Sequence, residues 1–166
     1  MHSKQNTYPS ILNQVIGPVM RGPSASHCAA SVRIGKLARE LMDGNISSVL
    51  IEFDPNGSLA TTHTSQGSDI GLFGGLLGWD MTDKRLTDSA AAVRKAGIDI
   101  DIRIKNYGAQ HPNTYRLTLK NDNETHKMTA LSTGGGMIEI TEIDSIPVSI
   151  QGDYYETLVY CKNFHL

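Results

Sequence analysis

The sequence predicts an α+β domain: a mixed, mostly antiparallel sheet covered on one face by helices. Three observations predict it. Helical spacing of apolar residues dominates the first half of the 166-residue chain, and strand-like runs dominate the second. Ile98, Ile100, Ile102 and Ile104 alternate with Asp99, Asp101, Arg103 and Lys105, which describes a strand with one dry and one wet face. Asn121-Asp122-Asn123 separates two further strand-like runs and turns one back on the other, as an antiparallel hairpin requires.

Taken in order, residues 1–10 read as a flexible arm. Residues 11–20 are apolar but contain Gly17-Pro18, so a short helix or turn is expected there. Next comes Arg21-Gly22-Pro23-Ser24-Ala25-Ser26-His27-Cys28. Gly22 and Pro23 set a rigid turn, and Ser24 or Ser26 stands where a helix N-cap belongs. Ala30, Ile34, Leu37, Ala38 and Leu41 recur at helical spacing with Gly44 as a stop, so a helix is expected over 26–42.

Residues 47–54 read as a strand close to buried, with Val49, Ile51 and Phe53 on one face. Pro55-Asn56-Gly57 breaks it, and 58–68 reads as a loop rich in Ser and Thr. Ser68-Asp69 then looks like the cap of a helix over 70–79. Gly71, Gly74, Gly75 and Gly78 punctuate that helix. Each glycine costs about 1 kcal/mol of helix propensity relative to Ala, so a tightly packed neighbouring backbone is the expected reason for them. Thr87-Asp88 caps a third helix that stops at Gly97. After the alternating isoleucines, 107–113 is a loop, and strands are expected at 114–120, 125–131, 137–143 and 148–150. Residues 157–160 have the composition of one more strand.

Composition narrows the function classes. The formal charge of −2 gives no reason to expect nucleic acid or an anionic membrane as partner. No apolar run reaches transmembrane length and the polar N-terminus is not a signal peptide, so a cytoplasmic location is expected. The two cysteines, Cys28 and Cys161, show no C-x-x-C spacing and cannot alone hold a cubane cluster or a closed zinc site. A reducing compartment disfavours a disulfide between them.

The turn at 22–27 carries the main functional signal. Two hydroxyls and an imidazole lie at the positive end of a helix dipole, among N–H groups without intrahelical partners, an end that favours a carboxylate or phosphate. The plainer reading is that Ser24 and Ser26 only cap. His63 and Gln66 lie in a Gly/Ser/Thr loop between a strand and a helix, a favoured place for ligand chemistry, although loop histidines are often merely exposed. His111 reads as a ligand contact or as a turn residue bonded to backbone. Gly134-Gly135-Gly136 lacks the spacing and lysine of a phosphate loop. His2, His126 and His165 are taken as surface residues, and no residue pattern suggests a metal held by this chain alone.

From residue 15 to residue 155 the chain resembles the beta chain of the iron–sulfur-dependent L-serine dehydratases. The resemblance rests on separate blocks in the family's order: Gly22 to His27, Val32-Arg33-Ile34-Gly35 with Leu37-Ala38-Arg39, Gly57-Ser58, Gly74-Gly75-Leu76-Leu77-Gly78, His111-Pro112-Asn113-Thr114, Gly134-Gly135-Gly136, and Ile140-Thr141-Glu142-Ile143-Asp144. It implies a fold similar to an allosteric substrate-binding domain over 11–153, with a C-terminal tail at 154–166 where a regulatory ACT domain would begin. It also implies a lyase subunit that converts L-serine to pyruvate and ammonia. Its partner would be a cluster-bearing alpha subunit whose cysteines hold a [4Fe–4S] cluster, the Lewis acid of the reaction. Homodimerisation is left open.

By the same resemblance Ser24, Ser26 and His27 match positions that hold the substrate carboxylate, and Ser58 and Gln66 fall among the substrate-binding positions. Two departures stand out. Ala25 and Cys28 replace a Ser and a Thr of the family's turn. More consequentially, the family's Thr-Gly-Lys-Gly-His-Gly-Thr-Asp loop reads Thr62-His63-Thr64-Ser65-Gln66-Gly67-Ser68-Asp69 here, placing Gln66 where a proton-abstracting His is expected. Gln cannot take a proton at neutral pH. Three resolutions follow: His63 serves as the catalytic base, the base comes from the alpha chain, or the substrate is another β-hydroxy amino acid. A non-catalytic amino-acid or carboxylate-binding module is the alternative from another class.

Overall fold

The computed structural model describes residues 19–161. Their order is α1 (Ala25–Leu41), β1 (Ser48–Phe53), α2 (Leu59–Thr62), α3 (Ser68–Leu76), a 3-10 turn (Lys84–Asp88) and α4 (Ser89–Lys95). Five strands follow: β2 (Asp99–Ile104), β3 (Thr114–Lys120), β4 (Thr125–Gly134), β5 (Met137–Ile143) and β6 (Ile146–Ile150). The strands make one sheet in the order β2-β1-β3-β4-β5-β6. β1 and β2 are parallel, joined by the helical crossover between them, and every other neighbouring pair is antiparallel. This is the α+β class and mixed sheet that the sequence predicts.

Strand alternation decides which side is dry. Val49, Ile51 and Phe53 of β1, Tyr115, Leu117 and Leu119 of β3, and Met128 and Ala130 of β4 share one buried cluster with Ala30, Ile34 and Ala38 of α1 and Leu72, Phe73 and Leu76 of α3. The register reinforces it, with Ile51 opposite Leu117 and Leu117 opposite Met128. Each large side chain so buried contributes about 1.5–3 kcal/mol. The intervening residues face away from the helices. There Glu52 of β1 is paired with Arg116 of β3 at 2.8 Å and with Lys105 at 3.4 Å.

Glycines let α1 and α3 touch backbone to backbone. A Cβ on Gly71 would strike the Cys28 carbonyl, and one on Gly35 the Leu72 carbonyl. One on Gly75 would strike the Val32 carbonyl and lie 2.8 Å from the Gly35 Cα. The propensity penalty noted above is therefore offset by a close helix crossing.

Several expectations need correction. The segment read as a loop over 58–68 contains the single turn α2, which forms because Leu59 buries its side chain in the core. α3 starts at Ser68 rather than 70 and ends at Leu76. Its N-cap is Gly67 at φ 77, a left-handed backbone that suits glycine. Asp88 holds the N-cap position of α4 as expected but makes no side-chain capping bond. The 3-10 turn before it, which the sequence pattern does not announce, is capped by Asp83, its carboxylate accepting from the Arg85 N–H. β2 lies at the sheet edge, so its dry face is only partly covered and Ile104 is 49% exposed. Residues 157–160 form no strand.

His126 is not a surface residue. Its Nδ1 lies 2.6 Å from Asp144 and its Nε2 3.4 Å from Glu124. Burial opposes its charge, but the two carboxylates outweigh that and hold its pKa above the ordinary value. The arm at 1–10, most of 11–20, His2 and His165 lie outside the described residues.

Candidate functional site

Because α1 feeds β1 through a short connection, the two run in opposite directions. The start of α1 therefore lies at the end of the sheet where β1 finishes and β3 begins, while the helix itself packs over β4 and β5. The 63–69 turn and the start of α3 gather at the same end: the Ser24 N–H donates to the Gln66 carbonyl at 3.3 Å, and Gly67 packs against the Pro23 ring.

Ser24 occupies the N-cap position with extended backbone, but its side chain makes no capping bond. Its Oγ lies 2.8 Å from His27 Nδ1 instead, which leaves His27 Nε2 as the second nitrogen of the ring. The expectation that a serine hydroxyl closes the helix end is thereby corrected. Ser24, Ser26 and His27 are all half-buried, neither sealed in the core nor fully exposed. Beneath them Ser31 donates from Oγ to the His27 carbonyl at 2.7 Å, and the same oxygen lies 2.9 Å from the Tyr115 hydroxyl, which is fully buried. This chain anchors the first turn of α1 to the sheet. Burial, and then the Asp69 carboxylate nearby, push the Cys28 thiol up, so it stays protonated and unreactive.

The opposite wall is one tight turn. The His63 carbonyl accepts the N–H groups of Ser68 at 2.8 Å and Asp69 at 3.3 Å, satisfying two orphan donors of α3. The His63 ring packs on Phe53 with centroids 5.2 Å apart, and its Nδ1 lies 3.2 Å from Thr64 Oγ1 and 3.9 Å from Asp69 Oδ2. Gln66 Oε1 is buried here with no partner among the described residues, while the buried Ser68 hydroxyl faces that of Tyr115.

Ser58 stands further along the same end. Its hydroxyl bonds Asn113 Oδ1 and, at 3.4 Å, the Pro112 carbonyl, knitting the loop after β1 to the loop before β3. Asp54 supports this join. One carboxylate oxygen accepts from the N–H of Asn56 at 2.9 Å, and the other from those of Tyr107, Gly108 and Ala109 at 3.0, 2.9 and 3.1 Å. The Asn56 and Tyr107 N–H groups lead in holding its pKa down to about 2. His111 accepts the Asn113 N–H on Nδ1 at 3.1 Å, the turn role, which puts its proton on Nε2.

A depressed pKa gives this loop clamp a pH signature. The folded-state value lies below the unfolded one of about 3.9, so the stabilisation is complete above that value and is lost as pH falls from about 4 towards 2. Asp54→Asn is expected to lower the urea midpoint at pH 7, with the gap to the unsubstituted chain closing through that acid window. A gap that stayed constant from neutral pH to about pH 2.5 would contradict the role of the charge.

Volume points elsewhere. A groove of about 850 Å³ lies between α1 (Arg33, Leu37, Leu41), the sheet (Met128, Ile140) and residues 152–160. Two of its cations are already paired, Arg33 with Asp153 at 2.8 Å and Lys36 with Asp80 at 2.7 Å. The helix end holds the richer chemistry, because its donors and acceptors are in part unmet. Sequence reasoning missed Ser31, Tyr115 and Asp69 as members of this cluster. Ser31 left one signal, a polar residue one helical turn after His27.

Among the described residues no three His, Cys, Asp or Glu side chains gather as metal ligands, and no helix is long and apolar enough to cross a membrane. Cys28 is buried inside α1 and Cys161 is exposed, so this chain's thiols do not fit as the holders of an iron–sulfur cluster.

Fold and cluster define a class: a one-sided α+β sheet domain whose polar residues collect where α1 and α3 begin. No protein-family model matches the chain. It is 37% identical over 152 residues to the probable L-serine dehydratase, beta chain, of Bacillus subtilis (strain 168), covering 92% of this chain and 68% of that protein. It is 33% identical over 148 residues to the L-serine dehydratase, beta chain, of Peptoniphilus asaccharolyticus, covering 88% of this chain and 66% of that protein. The chain thus spans about two thirds of the length of these relatives. It belongs to the L-serine dehydratase beta-chain family, and so to the subunits of a lyase.

Proposed function

We propose that the chain is the beta subunit of a cytoplasmic amino-acid dehydratase acting on L-serine or a close β-hydroxy relative. Its part is to receive the substrate carboxylate at the start of α1 and to close the site over an alpha subunit. The observation that carries this reading is the Ser24–His27 pair at 2.8 Å on a half-buried helix N-terminus. There the dipole and unpaired N–H groups favour an acid group. Ser26 sits in the first turn of the same helix, and Ser58 lies at the same end of the sheet.

His63 is the proton acceptor of this reading. Gln66 cannot act as a base, whereas His63 is held in place by Phe53 and lies beside Asp69. The [4Fe–4S] cluster of the reaction belongs, on this account, to the alpha subunit, and supplies Lewis acidity at the substrate hydroxyl. This chain's residues bind the acid group, orient the substrate and exclude water.

Co-expression with an alpha subunit, purification without oxygen and assay of ammonia release from L-serine test the proposal. The pair is expected to turn over and this chain alone is not. A cluster-loaded pair inert on every β-hydroxy amino acid would contradict it, and would favour a binding module without chemistry.

A further inference from the structure

Behind the walls that carry His27 and His63 lie the hydroxyls of Ser31, Ser68 and Tyr115, all on fully buried residues. Ser31 stands one turn after His27 on α1, Ser68 opens α3, and Tyr115 belongs to β3. Donor arithmetic fixes the direction of the chain they form. The His27 carbonyl can only accept, so the single Ser31 proton goes to it at 2.7 Å. The Tyr115 O–H then donates to Ser31 Oγ, 2.9 Å away. Its oxygen is left to accept from the Ser68 hydroxyl that faces it. Burial pushes the Tyr115 phenol pKa up, so the proton it donates stays in place.

The Tyr115 ring makes a second connection. Its edge meets Phe53 of β1 with centroids 5.5 Å apart and planes at 78°, and Phe53 in turn carries the His63 ring at 5.2 Å. One residue of the sheet thus leads to both walls. Through Ser31 it reaches the turn of α1 that presents Ser24 and His27; through Ser68 it reaches the start of α3, and through Phe53 it reaches His63. Core filling alone does not call for this. A phenylalanine at 115 would occupy the same space with no polar group to satisfy, whereas a satisfied buried network fixes one arrangement of the elements it joins.

We propose that Tyr115 is a positioning residue of the site, its hydroxyl setting the α1 turn that carries His27 and its ring setting the seat of His63. The inference rests on the roles proposed above for those two histidines and goes beyond them, because it assigns their spacing to one side chain of the sheet.

Tyr115→Phe keeps the ring and removes the hydroxyl, whereas Phe53→Leu keeps the hydroxyl chain and removes the seat of His63. In the two-chain enzyme the first is expected to raise KM for L-serine about five-fold, the size of one neutral hydrogen bond, with kcat little changed. The second is expected to lower kcat about ten-fold or more, since a displaced proton acceptor loses its reach. Leu119→Val trims the core further along β3 without touching the chain, and should lower stability while leaving both constants as they were. In the 15N-labelled chain alone, Tyr115→Phe should shift the backbone amides of residues 24–28 and 68–70 together, and Ser31→Ala only the first set. Should Tyr115→Phe fail to fold, Ser31→Ala carries the test, because it breaks the same link to His27 and should raise KM by a similar factor. An unchanged KM in whichever of the two folds, or amide shifts from Tyr115→Phe confined to one wall, overturns the inference. Shifts at both walls in a chain whose two-chain enzyme turns over no β-hydroxy amino acid would uphold the positioning and overturn the proposed chemistry instead.

Discussion

Gly75→Ala is expected to unfold the domain, or to cost more than about 3 kcal/mol, the upper end for overpacking a core. In an exposed helix the same change would stabilise by about 1 kcal/mol, because Ala is the better helix former. Here the new methyl group would strike the Val32 carbonyl and sit 2.8 Å from both the Gly35 Cα and the Lys36 N. Those neighbours are backbone atoms of α1, with no rotamer that moves them aside. Separating α1 from α3 would also open the cluster formed by Ala30, Ile34, Leu72 and Leu76. The clash therefore outweighs the propensity gain. Urea unfolding followed by circular dichroism decides it, and a variant as stable as the parent would show that the crossing is looser than described.

The second large effect concerns chemistry. His27→Ala in the two-chain enzyme is expected to lower kcat/KM for L-serine by about 10- to 100-fold, the loss of a hydrogen bond to a charged group. If the imidazole grips the carboxylate equally in ground and transition states, the loss appears as a raised KM with kcat little changed. Ser24→Ala should share the effect, because Ser24 Oγ holds His27 Nδ1. Residues that act as a pair are not additive, so the double variant should be barely worse than His27→Ala. Stability gives the contrast. A true capping serine costs about 1 kcal/mol when replaced by Ala, whereas Ser24 makes no capping bond, and Ser24→Ala should leave unfolding nearly unchanged. A stability loss with intact kcat/KM would restore the capping reading.

How much of this was legible in the sequence follows from the range of each interaction. Strand alternation and helix spacing are local, and the isoleucines at 98–104 and the glycines at 71–75 carried both the strand and the close helix crossing. Their degree of burial was not local: β2 lies at an edge, so Ile104 is exposed although its pattern matches that of Ile100. α2 went unread because four residues give no period. The cluster under the helix end was the least legible part. Ser31 meets Tyr115 across 84 residues, and only the sheet's register brings them together. Nor does sequence reveal that Ser24 turns its hydroxyl to His27 rather than to an N–H of its own helix. The family was legible because its blocks are short, ordered and rich in glycine and histidine, and the two relatives bear it out.

The most direct measurement is a crystal structure of the full chain grown with L-serine. The predicted result is the amino acid at the start of α1, its carboxylate on His27 and the first-turn N–H groups. L-serine found instead in the groove beside residues 152–160, with the helix end holding only solvent, would contradict the account.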